Sequence, residues 1–385
     1  WSSDVCSSDL LEIHGHCDPQ FAQVRDSFIE NFEVHGDLGA SVAITLEGEF
    51  VVDLWAGHKN AAKTEAWEEH TLVNVWSTTK TMAALCALVL SDRGAIDLQA
   101  PAAQYWPEFA QNGKEDVKVS HFLSHSAGLS GLDRAVSQDD LYDWDLICTA
   151  LAEQAPWWSP GSASGYHAIT QGYLIGEIVR RVTGRSLGQF FADEIAGPIG
   201  ADFWIGTPEA IFDRIADLIP PGTDALPSGL AEDSVAARTF SSPPVVAEAA
   251  MTKGWRQAEI PAANGHGNAR SVVRAQTALA NGGQAFGVEL LSKAGAARAL
   301  ELQIEGEDLV LGVPSRFGMG YGLSAPDFPM GPNERIGFWG GWGGSTIVID
   351  QDAHLCCSYV MNKMFPGVLG DTRGFNLLQA AYGSL

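Results

Sequence analysis

The stretch VWSTTKTMAALCALVL, beginning at Val75, constrains the fold more than any other. From Met82 to Leu90 it is apolar on nearly every side, so it is stable only as a helix wrapped by other elements. Hosting it takes a large core, which 385 residues with 46% hydrophobic content can supply as two domains or one elaborated domain. Gly94 stands where a left-handed closing residue would fall, so the helix is expected from about Ser77 to Arg93. At its front, Ser77 and Lys80 are three residues apart and share a face. A serine hydroxyl is a weak nucleophile unless a base takes its proton, and a lysine among apolar groups loses its charge more readily than one in water. The pair can therefore form nucleophile and base. Taken alone, such a pair is more commonly a helix cap with a lysine reaching to solvent.

The flanking sequence suggests how the helix is housed. Phe21, Val24, Phe28 and Phe32 recur at three- and four-residue spacing, predicting an amphipathic helix over Asp18 to His35. GASVAITLEGEFVVDLWAG reads as two strands joined at Glu47-Gly48, a hairpin signal. Between about Leu98 and Val310, helical patterns alternate with loops such as LIPPGTDALPSGL and SSPPVV, candidate lids or pocket walls. Strand patterns return with ERIGFWGG, STIVIDQD and HLCCSYVMNKM, followed by a helical tail from Thr372 to Tyr382. The expectation is an α/β (α+β) fold: an antiparallel sheet built from both termini, 11–75 with 311–385, flanked by helices. A large, mainly helical inserted domain, 76–310, would place the active site at the interface. The opening WSSDVCSSDL reads as an adapter-derived, non-native segment and is left out of the fold.

Charge and cysteines exclude several classes of function. With 47 acidic and 23 basic side chains the formal net charge is −24, which argues against binding nucleic acid or anionic membrane through a basic face. No apolar run approaches the roughly 18–20 residues that span a bilayer, and no signal-peptide pattern opens the chain. Cys17, Cys86, Cys148, Cys356 and Cys357 are odd in number and lack framework spacing, so a reduced, cytoplasmic setting is expected. HGHC, from His14 to Cys17, has no second cluster at ligand spacing, so no metal or other cofactor is expected.

Two further stretches decide what the Ser–Lys pair is for. In PWWSPGSASGYHAITQ, Tyr166 follows a Pro- and Gly-rich turn just before a helix; in GFWGGWGGSTIVID, glycines surround Trp342 ahead of a strand. With Ser77–Lys80 as S-x-x-K, Tyr166-His167-Ala168 as the tyrosine motif and Trp339-Gly340-Gly341 as the third-strand motif, the sequence resembles the serine β-lactamase and penicillin-binding-protein superfamily. It is most similar to the class C β-lactamase-like carboxylesterases, the family VIII esterases. The resemblance runs from about Leu11 to the C-terminus. It implies Ser77 as acylated nucleophile, Lys80 and Tyr166 sharing the base role, and an oxyanion hole from the backbone N–H groups of Ser77 and Trp342. G-x-S-x-G is absent, which argues against α/β-hydrolase esterases.

Two departures from the family pattern bear on substrate. β-Lactamases place a cationic or hydrogen-bonding residue where this chain has Trp339, and usually an Asn where it has Ala168. A β-lactam's carboxylate and acyl-amide would lack partners, so short-chain, neutral carboxylic esters fit better. β-Lactamase, D-amino-acid peptidase, amidase and acyltransferase activities stay open as alternatives. Trp157, Trp158, Trp339 and Trp342 are candidates to line an apolar pocket with Gly340 and Gly341. His266, in a Gly-rich turn that the resemblance places beside the cleft, and His167, next to Tyr166, are further substrate-binding candidates. His125 reads instead as a structural residue bonding its turn. The expected partner is a small-molecule ester, and a homo-oligomer is left open.

Overall fold

The structure, a computed structural model, describes residues 11–222, 230–368 and 370–385. The ten N-terminal residues and part of the loop LIPPGTDALPSGL lie outside them. Among the described residues nine strands form one antiparallel sheet. They are β1 (Ile13–Cys17), β2 (Gly39–Leu46), β3 (Glu49–Gly57), β4 (Ile304–Glu307), β5 (Pro314–Phe317), β6 (Gly322–Leu323), β7 (Ile336–Gly340), β8 (Thr346–Asp350) and β9 (Leu355–Met361). Their spatial order, β1-β3-β2-β9-β8-β7-β6-β5-β4, sets an N-terminal strand beside a C-terminal one at the centre, with Ala43 opposite Ser358. The β2–β3 hairpin turns where expected. Glu47 and Gly48 have φ of 52° and 85°, the left-handed pair of a tight turn that matches strand twist. The expected boundary at 310 falls after β4, so the sheet recruits residues from the segment assigned to the insertion.

Five helices matter for the site: α1 (Ala22–Glu33), α2 (Lys80–Asp92), α3 (Thr170–Thr183), α4 (Ala269–Ala280) and α5 (Thr372–Gly383). Alternation along β9 sends neighbouring side chains to opposite faces of the sheet. Cys356 faces α4, where its Sγ lies 3.9 Å from Val273 O, and on the paired strand Thr45 shares a 2.9 Å hydroxyl contact with Thr277. Tyr359, of opposite parity, points at α5 and donates to Asp37 at 2.5 Å. With both faces covered, β2 is buried from Gly39 to Thr45.

α2 bears out the opening expectation, since every residue from Lys80 to Leu90 is buried. It packs against α3 and α4, and each fully buried Leu or Val on it stabilises the fold by about 1.5–3 kcal/mol. Ser345, just before β8, ties its front to the sheet: Ser345 Oγ donates to Val75 O at 2.8 Å and lies 2.9 Å from Thr78 Oγ1. The helix that carries the candidate nucleophile is thus fixed to the third-motif strand. No helix among the described residues is long and apolar enough to cross a membrane.

Candidate active site

Ser77 lies in a 3-10 turn, Trp76–Thr79, that runs directly into α2. N–H groups in a first helical turn have no intrahelical partner, so the Ser77 amide is available to a ligand. Trp76, just before it, has φ of 47°, a left-handed conformation that costs a bulky residue about 1–3 kcal/mol. The rings of Trp255 and Trp342, with centroids 5.4 Å and 4.9 Å away, pack on Trp76 and hold it there. Aromatic packing and a strained backbone together fix the direction of the serine.

Ser77 Oγ stands 2.5 Å from Tyr166 Oη and 3.1 Å from Lys80 Nζ. The lysine is fully buried, and its Nζ also donates to the carbonyls of Ala168 at 2.7 Å and Ala262 at 2.9 Å. Those two bonds leave the amine aimed at the serine. Burial holds its pKa well below the ordinary lysine value, so the uncharged base is accessible. Tyr166 shifts the other way. Burial raises its phenol pKa, the hydrogen bond with Ser77 partly offsets this, and the nearby Asp308 carboxylate raises it again. An amine that sheds its proton easily and a phenol that keeps one suit the roles of acceptor and donor.

Tyr166 is anchored through its backbone. Its N–H donates to Asp308 Oδ1 at 3.0 Å, and the same oxygen accepts from Val310 and Leu311 N–H at 2.9 Å. His125, at φ 59°, accepts from His167 N–H at 3.0 Å on Nδ1 and from Gly165 N–H at 2.9 Å on its carbonyl. Its ring stacks on Trp339, with centroids 5.2 Å apart and planes 18° from parallel. His125 is thus a structural residue, as expected, but it bonds the Tyr166 segment rather than its own turn.

The third motif closes the site. A Cβ on Gly341 would lie 2.2 Å from both Val75 O and Ser345 Oγ, so only glycine lets β7 come this near the nucleophile turn. Past it, the Trp342 N–H finds no acceptor among the described residues, and Trp342 and Ser77 wall the same cavity. Arg373 of α5 braces this turn from below. Its Nη2 donates to Gly343 O at 2.8 Å, while Asp37 accepts from Nη1 at 2.6 Å with both side chains fully buried.

Two apolar cavities meet at Tyr166. The smaller, about 70 Å³, is walled by Trp76, Ser77, Ile169, Phe240 and Trp342; the larger, about 310 Å³, by Val313, Phe317, Leu323, Phe338 and Trp339. Gly340 also lines the larger one. The other expected binding residues lie elsewhere. His167 is buried, its Nε2 accepting from Leu129 N–H at 3.1 Å and its Nδ1 2.6 Å from Gly165 O. His266 is also buried, on a short strand beside Val73–Asn74, with Nδ1 3.1 Å from Thr207 Oγ1. Trp158 donates to Ala163 O at 2.9 Å and packs under Gly165, while Trp157 donates to Asp133 at 2.8 Å with Arg238 over its ring. None of these four lines either cavity. Asp308, Ser345, Arg373 and Trp76 were not anticipated. Only the GGS run around Ser345 carried a local signal.

This sheet, with a Ser–Lys–Tyr cluster where the helical segment meets it, defines a serine hydrolase of the β-lactamase and penicillin-binding-protein superfamily. The Beta-lactamase family profile matches residues 26–382, and the chain belongs to that family. It is 35% identical over 378 residues to the esterase/beta-lactamase LipL of Mycobacterium tuberculosis strain ATCC 25618 / H37Rv, covering 94% of this chain and 86% of that protein. Among solved structures, a family VIII carboxylesterase is similar at TM-score 0.91 and 43% identity, over 97% of this chain and 100% of that one. A penicillin-binding-protein homologue from Caulobacter crescentus gives TM-score 0.90 and 42% identity over the same shares.

Proposed function

We propose that the protein is a serine carboxylesterase that cleaves short-chain carboxylic esters through an acyl-enzyme on Ser77, with Lys80 and Tyr166 sharing the base role. The observation that carries this reading is the position of Ser77 Oγ, 2.5 Å from Tyr166 Oη and 3.1 Å from Lys80 Nζ, at the wall of an apolar cavity. Lys80 takes the serine proton, directly or through Tyr166, as Oγ attacks the ester carbonyl. The Ser77 and Trp342 N–H groups receive the negative charge on the carbonyl oxygen. As the C–O bond to the alcohol breaks, Tyr166 gives that oxygen a proton and is reprotonated from Lys80. Water then repeats the sequence, its proton returning to Ser77 Oγ as the acid leaves. Related proteins named esterase and carboxylesterase support the reaction class.

The substrate assignment rests on what replaces the family's polar groups. Trp339 occupies the position of the carboxylate-binding residue, and Ala168 supplies only its carbonyl, already used by Lys80. LipL is named for both esterase and β-lactamase, which favours slow β-lactam turnover as a second reading. The test is to assay p-nitrophenyl butyrate and nitrocefin with wild type and Ser77→Ala. The ester should be favoured at least tenfold and both activities lost in the variant. Equal ester turnover by the two proteins rejects the mechanism, and a tenfold preference for nitrocefin rejects the ester assignment.

A further inference from the structure

We propose that the preferred substrates join a short acyl group to a bulky, uncharged, apolar alcohol, which occupies the larger cavity. This rests on the acyl-enzyme reading and adds to it which side of the ester each cavity takes.

The assignment follows from what borders each space. Ser77 is in the wall of the 70 Å³ cavity and not of the 310 Å³ one, while Tyr166 is in both. Once the Ser77 Oγ–carbonyl bond forms, the acyl group stays tethered to the serine, so it belongs to the cavity that contains Ser77. The bond that breaks is between the carbonyl carbon and the alkoxy oxygen. That oxygen must leave beside a proton donor, and Tyr166, whose Oη is 2.5 Å from Ser77 Oγ, is also in the wall of the larger space. The alcohol therefore departs into the larger cavity, carrying the proton that Tyr166 gives it and that Lys80 then restores to the phenol.

Size and polarity then set the class. Indole and phenyl walls from Trp76, Trp342 and Phe240 limit the acyl side to a few carbons. On the alcohol side, a space of about 310 Å³ is at the lower end of small-molecule sites and suits one or two fused rings. Its cation, Arg316, already faces a carboxylate: Nε lies 3.3 Å from Glu305, an ion pair without a hydrogen bond, and Nη1 donates to Ser324 O at 3.0 Å. Asp327, exposed at the mouth, repels anions, as does a net charge of −24. A neutral ring alcohol satisfies this lining; a carboxylate-bearing one leaves its charge without a partner.

The experiment measures kcat/KM for two series with wild type. One is ethyl, cyclohexylmethyl and 2-(1-naphthyl)ethyl acetate, alcohols of similar acidity; the other is ethyl acetate, butyrate, hexanoate and octanoate. The proposal expects a rise of at least tenfold across the first and a fall of at least tenfold from butyrate to octanoate. A flat or falling alcohol series, or a rising acyl series, overturns it. Val313→Trp, at a wall position already 37% exposed, should lower the naphthylethyl-to-ethyl acetate ratio at least tenfold. An unchanged ratio counts against the assignment, and Leu323→Phe gives the same reading should the first variant not fold. Ser77→Ala separates the failures. Turnover surviving that change sinks the acyl-enzyme reading itself, whereas Ser77-dependent turnover with the wrong size trends sinks the alcohol assignment alone.

Discussion

Lys80 is where chemistry and burial meet. In water an ammonium cannot accept a proton, and here burial lowers its pKa while two carbonyls hold it in line with Ser77. Catalysis needs the uncharged amine, so kcat/KM should fall as pH drops through the depressed Lys80 value, giving an acid limb below the ordinary lysine range. Tyr166, whose pKa shifts upward, should keep its proton across that range. Tyr166→Phe is therefore expected to lower kcat by about 10²–10⁴-fold and leave the acid limb in place, as paired pH–rate profiles would show. Loss of the limb in the variant would move the base role to the phenol. Ser77 and Lys80 were legible because one helical turn relates them and the sequence displays that spacing. Asp308, which fixes the Tyr166 backbone, was not, because 142 residues separate the two and nothing around Asp308 marks it.

The turn after β7 depends on a helix far away in the chain. Arg373, near the start of α5, reaches Gly343 O, Asp37 and Asp371 with no exposure of its own side chain. Removing the guanidinium leaves the Asp37 carboxylate buried without its cation, a loss of about 3–5 kcal/mol. Arg373→Met should show that drop in urea unfolding and also lower kcat through the Trp342–Gly343 turn. The double variant Asp37→Asn/Arg373→Met should recover stability without recovering kcat. Equal stability of single and double variants would mean that the ion pair is not the cause. At this scale the hairpin at Glu47-Gly48, the buried helix and the last three strands were readable from turn residues and periodicity. β4 and β6 were not: β6 is two residues long, and β4, IEGE, has no alternating pattern. Their place in the sheet comes from pairing with β5.

Three histidines, His125, His167 and His266, are buried with the core. His266 is fully buried and its pKa is pushed down to about 3, chiefly by burial and then by the charge of Arg256. An unfolded histidine takes a proton near pH 6.5, so between there and about 3 the unfolded state binds more protons and stability falls as pH falls. From pH 7 to 5 this one group should cost about 2 kcal/mol, and His266→Gln should lose that much less over the same interval in urea titrations. An identical pH dependence in the variant would mean that His266 ionises freely in the folded state. The order of sheet and helical segments was visible in the sequence, since strand patterns frame a helical middle. The packing that buries His266 away from the cavities was not, because a Gly-rich turn looks the same over a cleft or over a core. The central claim is that Ser77 carries the acyl group. Quenching the protein during turnover of p-nitrophenyl butyrate and mapping the adduct by peptide mass spectrometry tests it most directly. A butyryl group on the peptide containing Ser77, absent from Ser77→Ala, is the expected result; an adduct on another residue, or Ser77 still unmodified in a steady state with deacylation slowed, would contradict the account.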